Sequence, residues 1–154
     1  MAAQKALSQT AKLADMKSQD FDTVFYVGGH GRMWDLAESA DSIALLESFY
    51  NSNKPIGLPL ARCTSACNLQ GAPLVKGNRV TGFTNGEEEA VKLTHVVPFL
   101  VEDELIRLGA IFEKVANWQP FHVVDGRLIT GQNPASSTSA AQALLSLLSA
   151  QKAA

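Results

Sequence analysis

The chain is 154 residues long, 46% hydrophobic and 18% charged, with a formal net charge of -2, which fits a single globular domain over 1–154 with a real core. A mild negative balance without a Lys/Arg cluster argues against nucleic acid as the main partner. No apolar run reaches membrane-spanning length and no signal-peptide pattern precedes the first helix-like segment, so no membrane partner and a cytoplasmic location are expected.

The pattern from Ala2 to about Lys17, rich in Ala, Gln, Lys and Leu, predicts an amphipathic surface helix with Leu7, Ala11 and Ala14 on one face. Asp22–Val27 reads as a buried strand, nearly continuous in apolar character as central parallel strands are. It runs into Gly28-Gly29-His30-Gly31, where glycines let backbone N–H groups approach a ligand or a developing oxyanion. A tight βα turn is the simpler reading of the same residues. A helix over 41–51 follows, capped by Ser39 or Asp41, with Ile43, Leu46, Phe49 and Tyr50 inward. Lys54–Leu58 predicts the next parallel strand.

From Pro59 to Gly71 the sequence shows neither helical nor strand period. Cys63 and Cys67, the two cysteines of the chain, cannot build a disulfide framework. Their spacing fits neither a redox Cys-x-x-Cys nor a zinc knuckle, and no metal is expected. Strands are predicted at 73–75 and 79–83, then a helix capped by Asn85 with Glu87, Glu88 and Glu89 in its first turn. A further helix starts at Pro98, with Leu100, Leu105 and Leu108 inward, and Gly109 closes it. Strand 111–115 and a hairpin over 121–130 with a central Asp-Gly turn come next. The polar loop 131–137 enters a last helix with Ala141, Leu144, Leu145 and Leu148 inward. Trp34 and Trp118 are expected to cover the core or an interface. His95 and His122 lack metal-ligand spacing and read as structural or exposed. Asn133 and Ser136, at a strand's carboxyl end, either line a pocket or satisfy a loop.

Three stretches taken together resemble a known family: Phe25-Tyr-Val-Gly-Gly-His-Gly-Arg-Met-Trp-Asp-Leu36, Val80-Thr-Gly-Phe-Thr-Asn85 with its glutamates, and Asp125-Gly-Arg-Leu-Ile-Thr-Gly-Gln-Asn-Pro-Ala-Ser-Ser137. They are similar to the PfpI-like class I glutamine-amidotransferase superfamily, and within it to the heat-shock chaperone and glyoxalase III branch, also called D-lactate dehydratases. The resemblance implies an α/β, flavodoxin-like three-layer sandwich with a mostly parallel sheet, plus the β-hairpin. It implies cofactor-free conversion of methylglyoxal, a small 2-oxoaldehyde, to D-lactate, or related deglycase and chaperone activities; a homodimer or other self-association is expected separately, from the sheet edge beside 22–27.

The family site is a cysteine on a strained strand-to-helix elbow, usually Cys-His-Gly/Ala/Ser-Pro, with a glutamate orienting the histidine and a second glutamate from the first strand. A thiolate at such an elbow is a nucleophile stabilised by neighbouring donors. Carried over by position, Gly28, Gly29 and His30 match the oxyanion loop and Glu88 the orienting glutamate, with Glu87 or Glu89 taking its place if the alignment slips by one. A solvated first turn is the competing reading for all three glutamates. Arg32 stands where the branch usually has proline.

Two departures bear on function. The chain starts just before the glycine-loop strand, so a sheet incomplete on its N-terminal side is expected, with an exposed edge beside 22–27. And no Cys-His-x-Pro follows Leu58; Cys63 and Cys67 read as packed thiols rather than nucleophiles. Leu58-Pro-Leu-Ala-Arg-Cys-Thr64 can be encoded so that reading one nucleotide later spells Cys-His-Ser-Pro-Gly-Val, which suggests a frame slip near Leu58. Coding DNA lacking TGCCAC in the shifted frame across codons 58–64 rules this out. The expectation is therefore a family-level lyase site that is inactive in this chain, the alternative being a non-catalytic remnant or chaperone-like binding module.

Overall fold

The computed structural model describes residues 8–58, 68–69 and 72–153. Its main sheet contains β1 (Val24–Phe25), β2 (Ile56–Leu58), β7 (His122–Asp125) and β8 (Leu128–Gly131), in the order β1-β2-β8-β7. β1, β2 and β8 are parallel and β7 is antiparallel to β8. Two smaller pairs are β3 (Asn68–Leu69) with β4 (Ala72–Pro73), antiparallel, and β5 (Arg79–Val80) with β6 (Ile111–Phe112), parallel. The helices are α1 (Ala40–Asn51), α2 (Asn85–Ala90), α3 (Val101–Arg107) and α4 (Ser137–Ala153). This is the α/β class with a mostly parallel sheet that the sequence leads one to expect.

Alternation along β2 and β8 sends side chains to two faces. Leu45, Leu46 and Phe49 of α1 share one core cluster with Ile56, Leu58 and Leu128. Ile129 instead clusters with Ala140 and Leu144 of α4, where Phe25 also packs. The sheet is thus covered by helix on both sides. Where α4 crosses β2, a Cβ on Gly57 would run into the Phe25 ring and come within 3.4 Å of Leu144.

Ser39 caps α1, its side chain accepting from the Ser42 N–H. The hairpin turns at Gly126, with φ +56, between paired Asp125 and Leu128. Gly109, with φ +83, follows α3. Asp125 also reaches out of the hairpin and accepts a 2.7 Å hydrogen bond from the Arg79 N–H, tying β5 to β7.

Several expectations need correction. Residues 8–17 form no α-helix; they contain a 3-10 turn, Leu13–Asp15, followed by another at Ser18–Asp20. Lys54 anchors this stretch by donating to the carbonyls of Ser18 and Phe21, an arrangement helical propensity cannot foresee. β1 is only two residues long, and Val27 is 74% exposed. In α1 the buried stripe is Ser42, Leu45, Leu46 and Phe49, one position away from the Ile43 and Tyr50 edge predicted. Thr84, not Asn85, caps α2, and α3 begins at Val101, three residues beyond Pro98. Leu145 points outward, 63% exposed, because α4 packs on the sheet through Ala140 and Leu144. Trp34 and Trp118 are 54% and 44% exposed, so of the two places expected for them, core or interface, it is the core that the structure excludes. Within the run read as aperiodic, Asn68–Leu69 form a strand paired with β4; residues 59–67, with Cys63, Cys67 and the segment of the supposed frame slip, lie outside the described residues, as does Leu7. Among the described residues no helix is long and apolar enough to cross a membrane.

Candidate functional site

The motif residues collect beyond the carboxyl ends of β1, β5, β6 and β8, where open α/β sheets bind ligands. After β1 the chain passes Gly28 to Gly29, whose φ of +119 and ψ of 148 suit only glycine. It then winds into a 3-10 turn, His30–Met33. Arg32 donates from Nε to the Gly29 carbonyl at 3.5 Å. The turn lets the His30 ring reach across to α2, where Nε2 meets the two carboxylate oxygens of Glu88 at 3.0 and 3.2 Å. With a carboxylate as acceptor, Nε2 carries the proton. His30 is partly exposed, whereas the Glu88 side chain is 2% exposed. The structure therefore joins His30 and Glu88, which the sequence could place only separately.

Glu88 is buried because α2 is fixed by its neighbour. Thr84 accepts from the Glu87 N–H at 3.1 Å while the Glu87 carboxylate accepts from the Thr84 N–H at 3.0 Å, a capping box. The other Glu87 oxygen accepts from the Trp118 N–H at 2.8 Å, from Asn133 Nδ2 at 2.8 Å and from Gln132 Nε2 at 3.2 Å. Burial pushes the Glu87 carboxyl up, but these donors, led by the backbone N–H groups of Thr84 and Trp118, outweigh it and hold it below the usual carboxylate range. Glu87 is fully buried, so a solvated first turn describes neither it nor Glu88. Glu89 is exposed and accepts from Thr94.

An aromatic row continues from the dyad. The His30 ring stands edge-on to Phe83 at 5.5 Å, and Phe83 meets Trp118 at 5.7 Å. The importance of Phe83, Trp118 and Gln132 is not evident in the sequence; the only hint is that Phe83 lies inside the Gly-Phe-Thr stretch. Asn133 and Ser136 are buried and bond each other and the backbone of the 119–121 loop, so they brace the site from behind instead of lining it. His122 lies on β7 and His95 beyond α2, neither near the dyad in the hydrogen-bond pattern. No group of three or more His, Cys, Asp or Glu suited to a metal ion occurs among the described residues. Chemically, the arrangement offers an exposed glycine backbone at Gly28 and Gly29 and, beside it, a buried carboxylate that fixes an imidazole.

Residues 3–147 match the DJ-1/PfpI family. Glyoxalase 3 of Candida albicans is 30% identical over 149 residues, covering 89% of this chain and 62% of that protein. The glutathione-independent glyoxalase HSP31 of Saccharomyces cerevisiae is 28% identical with the same coverage, 89% and 62%. Among solved structures, the rapid encystment protein 24 kDa of Francisella tularensis superposes with a TM-score of 0.87 at 34% identity, covering 90% of this chain and 63% of that one. The chain thus spans about three fifths of the length of the curated relatives it matches.

Proposed function

This chain belongs to the DJ-1/PfpI family, and from that premise we propose that its site, carried by a single domain, is built for the chemistry of the glutathione-independent glyoxalases. The substrate class is a small 2-oxoaldehyde such as methylglyoxal, taken up in the cytoplasm. Adding one water to such a molecule gives the 2-hydroxy acid, here D-lactate: the aldehyde carbon is oxidised while the ketone carbon is reduced, so no external cofactor is required. Gly28, Gly29 and the backbone of His30 hold the carbonyl oxygen. Glu88 is the orienting carboxylate. The observation that carries this reading is the 3.0 Å bond between the partly exposed His30 and a buried Glu88, because a carboxylate is kept buried only when a partner compensates its desolvation.

Covalent attack on the aldehyde needs a positioned thiolate, and the sequence carries no Cys-His-x-Pro elbow after Leu58 to supply one. The chain as written binds the substrate class without turning it over, a binding module in place of a complete enzyme. The test is D-lactate formation from methylglyoxal by the wild-type chain, by Glu88→Gln, and by a Cys63→Ala, Cys67→Ala double variant. All three are expected at the uncatalysed rate. Turnover that survives loss of both cysteines but needs Glu88 overturns the account of the missing nucleophile. Turnover lost with the cysteines would instead make one of them the nucleophile.

A further inference from the structure

Building on the reading of this site as a 2-oxoaldehyde site, we infer that Trp118 is its specificity-determining wall, held by Glu87 as a positioning residue, and that it favours substrates with a flat apolar substituent. Trp118 has φ +67, one of three non-glycine residues with positive φ among the described residues. A bulky residue keeps that conformation only where its surroundings enforce it. Here each neighbour is tied. The Trp118 N–H goes to Glu87 at 2.8 Å. Asn117 Oδ1 accepts from the Thr84 hydroxyl at 3.3 Å. The Gln119 N–H returns to the Ala116 carbonyl at 3.1 Å, and the Gln119 carbonyl accepts from Asn133 at 2.8 Å. All this holds a loop whose own side chains are solvent-exposed, so core packing does not explain the bonding.

The same bonds fix the backbone from which the indole projects, and the ring itself rests against Phe83. Phe83, 5% exposed, forms the floor between two accessible rings, His30 at one end and Trp118 at the other. A carbonyl held at Gly28 and Gly29 beside His30 leaves its substituent free to extend over Phe83 toward Trp118. A methyl group is too short to touch an indole two ring contacts away. A phenyl group extends further in that direction and offers the edge and face contacts that aromatic rings prefer.

Unreactive 2-hydroxy acids test this without requiring turnover. Trp34→Phe leaves Trp118 as the sole tryptophan of the two in the chain, and D-lactate and D-mandelate are titrated by calorimetry with indole fluorescence followed in parallel. Mandelate is expected to bind about 3- to 10-fold more tightly than lactate and to change the Trp118 emission. Trp118→Gly suits the positive φ, so its melt should be unchanged or raised while the ratio of mandelate to lactate affinity falls to about one. Glu87→Gln should reduce the ratio of mandelate to lactate affinity. Mandelate preference intact in Trp118→Gly, or equal affinities in the wild type, overturns the inference and leaves the 2-oxoaldehyde reading standing. If neither acid binds the wild type, that reading falls, and the inference with it.

Discussion

Glu87 accepts five hydrogen bonds, so its removal strands donors from four other residues in a buried setting. Each unsatisfied buried group costs roughly 1–3 kcal/mol, and the losses overlap. Glu87→Ala is expected to lower stability by about 3 kcal/mol or more in urea unfolding. The carboxyl's pKa is depressed in the folded state, so its stabilisation is complete above the unfolded pKa and is lost as pH falls through the folded one. Wild-type stability should therefore drop on acidification below about pH 4.5, and Glu87→Gln should flatten that part of the profile; equal slopes for the two proteins would contradict the assignment. Gly29 makes the opposite case, with strain and no clash. A Cβ there meets nothing within 4 Å, so Gly29→Ala should cost about 1–3 kcal/mol through backbone conformation alone. Much of this scale was legible from the motifs, which singled out Gly28, Gly29, His30 and Glu88. Spacing could not reveal that His30 meets Glu88, or that Glu87 is the buried hub, because both depend on how a loop after β1 and a helix after β5 come together in space.

Among the elements, β2 is an inner strand buried at all three residues. Ile56 and Leu58 are buried against α1 while Gly57 leaves room for Phe25 and Leu144 on the opposite face. Gly57→Ala should destabilise by about 1–3 kcal/mol through overpacking, and a thermal melt within error of wild type would show that Phe25 can move aside. The start of α2 rests on Thr84, and Thr84→Ala should cost about 0.5–2 kcal/mol, with the larger value expected because the Thr84 hydroxyl also donates to Glu87. The hairpin was readable from Asp125-Gly126 and α1 from Ser39, since turn and cap chemistry is local. The missing helix over 8–17 was not. Its residues favour helix singly, but Lys54 holds the carbonyls of Ser18 and Phe21, and Ser18 and Ser48 hydroxyls meet at 2.5 Å, so tertiary contacts override propensity.

At the scale of the whole molecule, β1 is an edge strand of the main sheet among the described residues, and Phe21 and Val27 beside it are exposed. Short unprotected edges with apolar neighbours invite pairing with a second copy. Sedimentation velocity should show concentration-dependent association, and a single monomer boundary across a hundredfold dilution series would rule it out. The parallel sheet was foreseeable from the apolar runs at 22–27 and 54–58, but not that β8, read as half of a hairpin, would also be the inner neighbour of β2. That placement governs when the fold can form. Ile56 pairs with Leu128, so on a ribosome adding roughly 5–20 residues per second, β2 emerges several seconds before its second neighbour exists. During that interval β2 has β1 and α1 to pack against but not β8, and the commitment to a native sheet waits until Leu128 and its neighbours have been made.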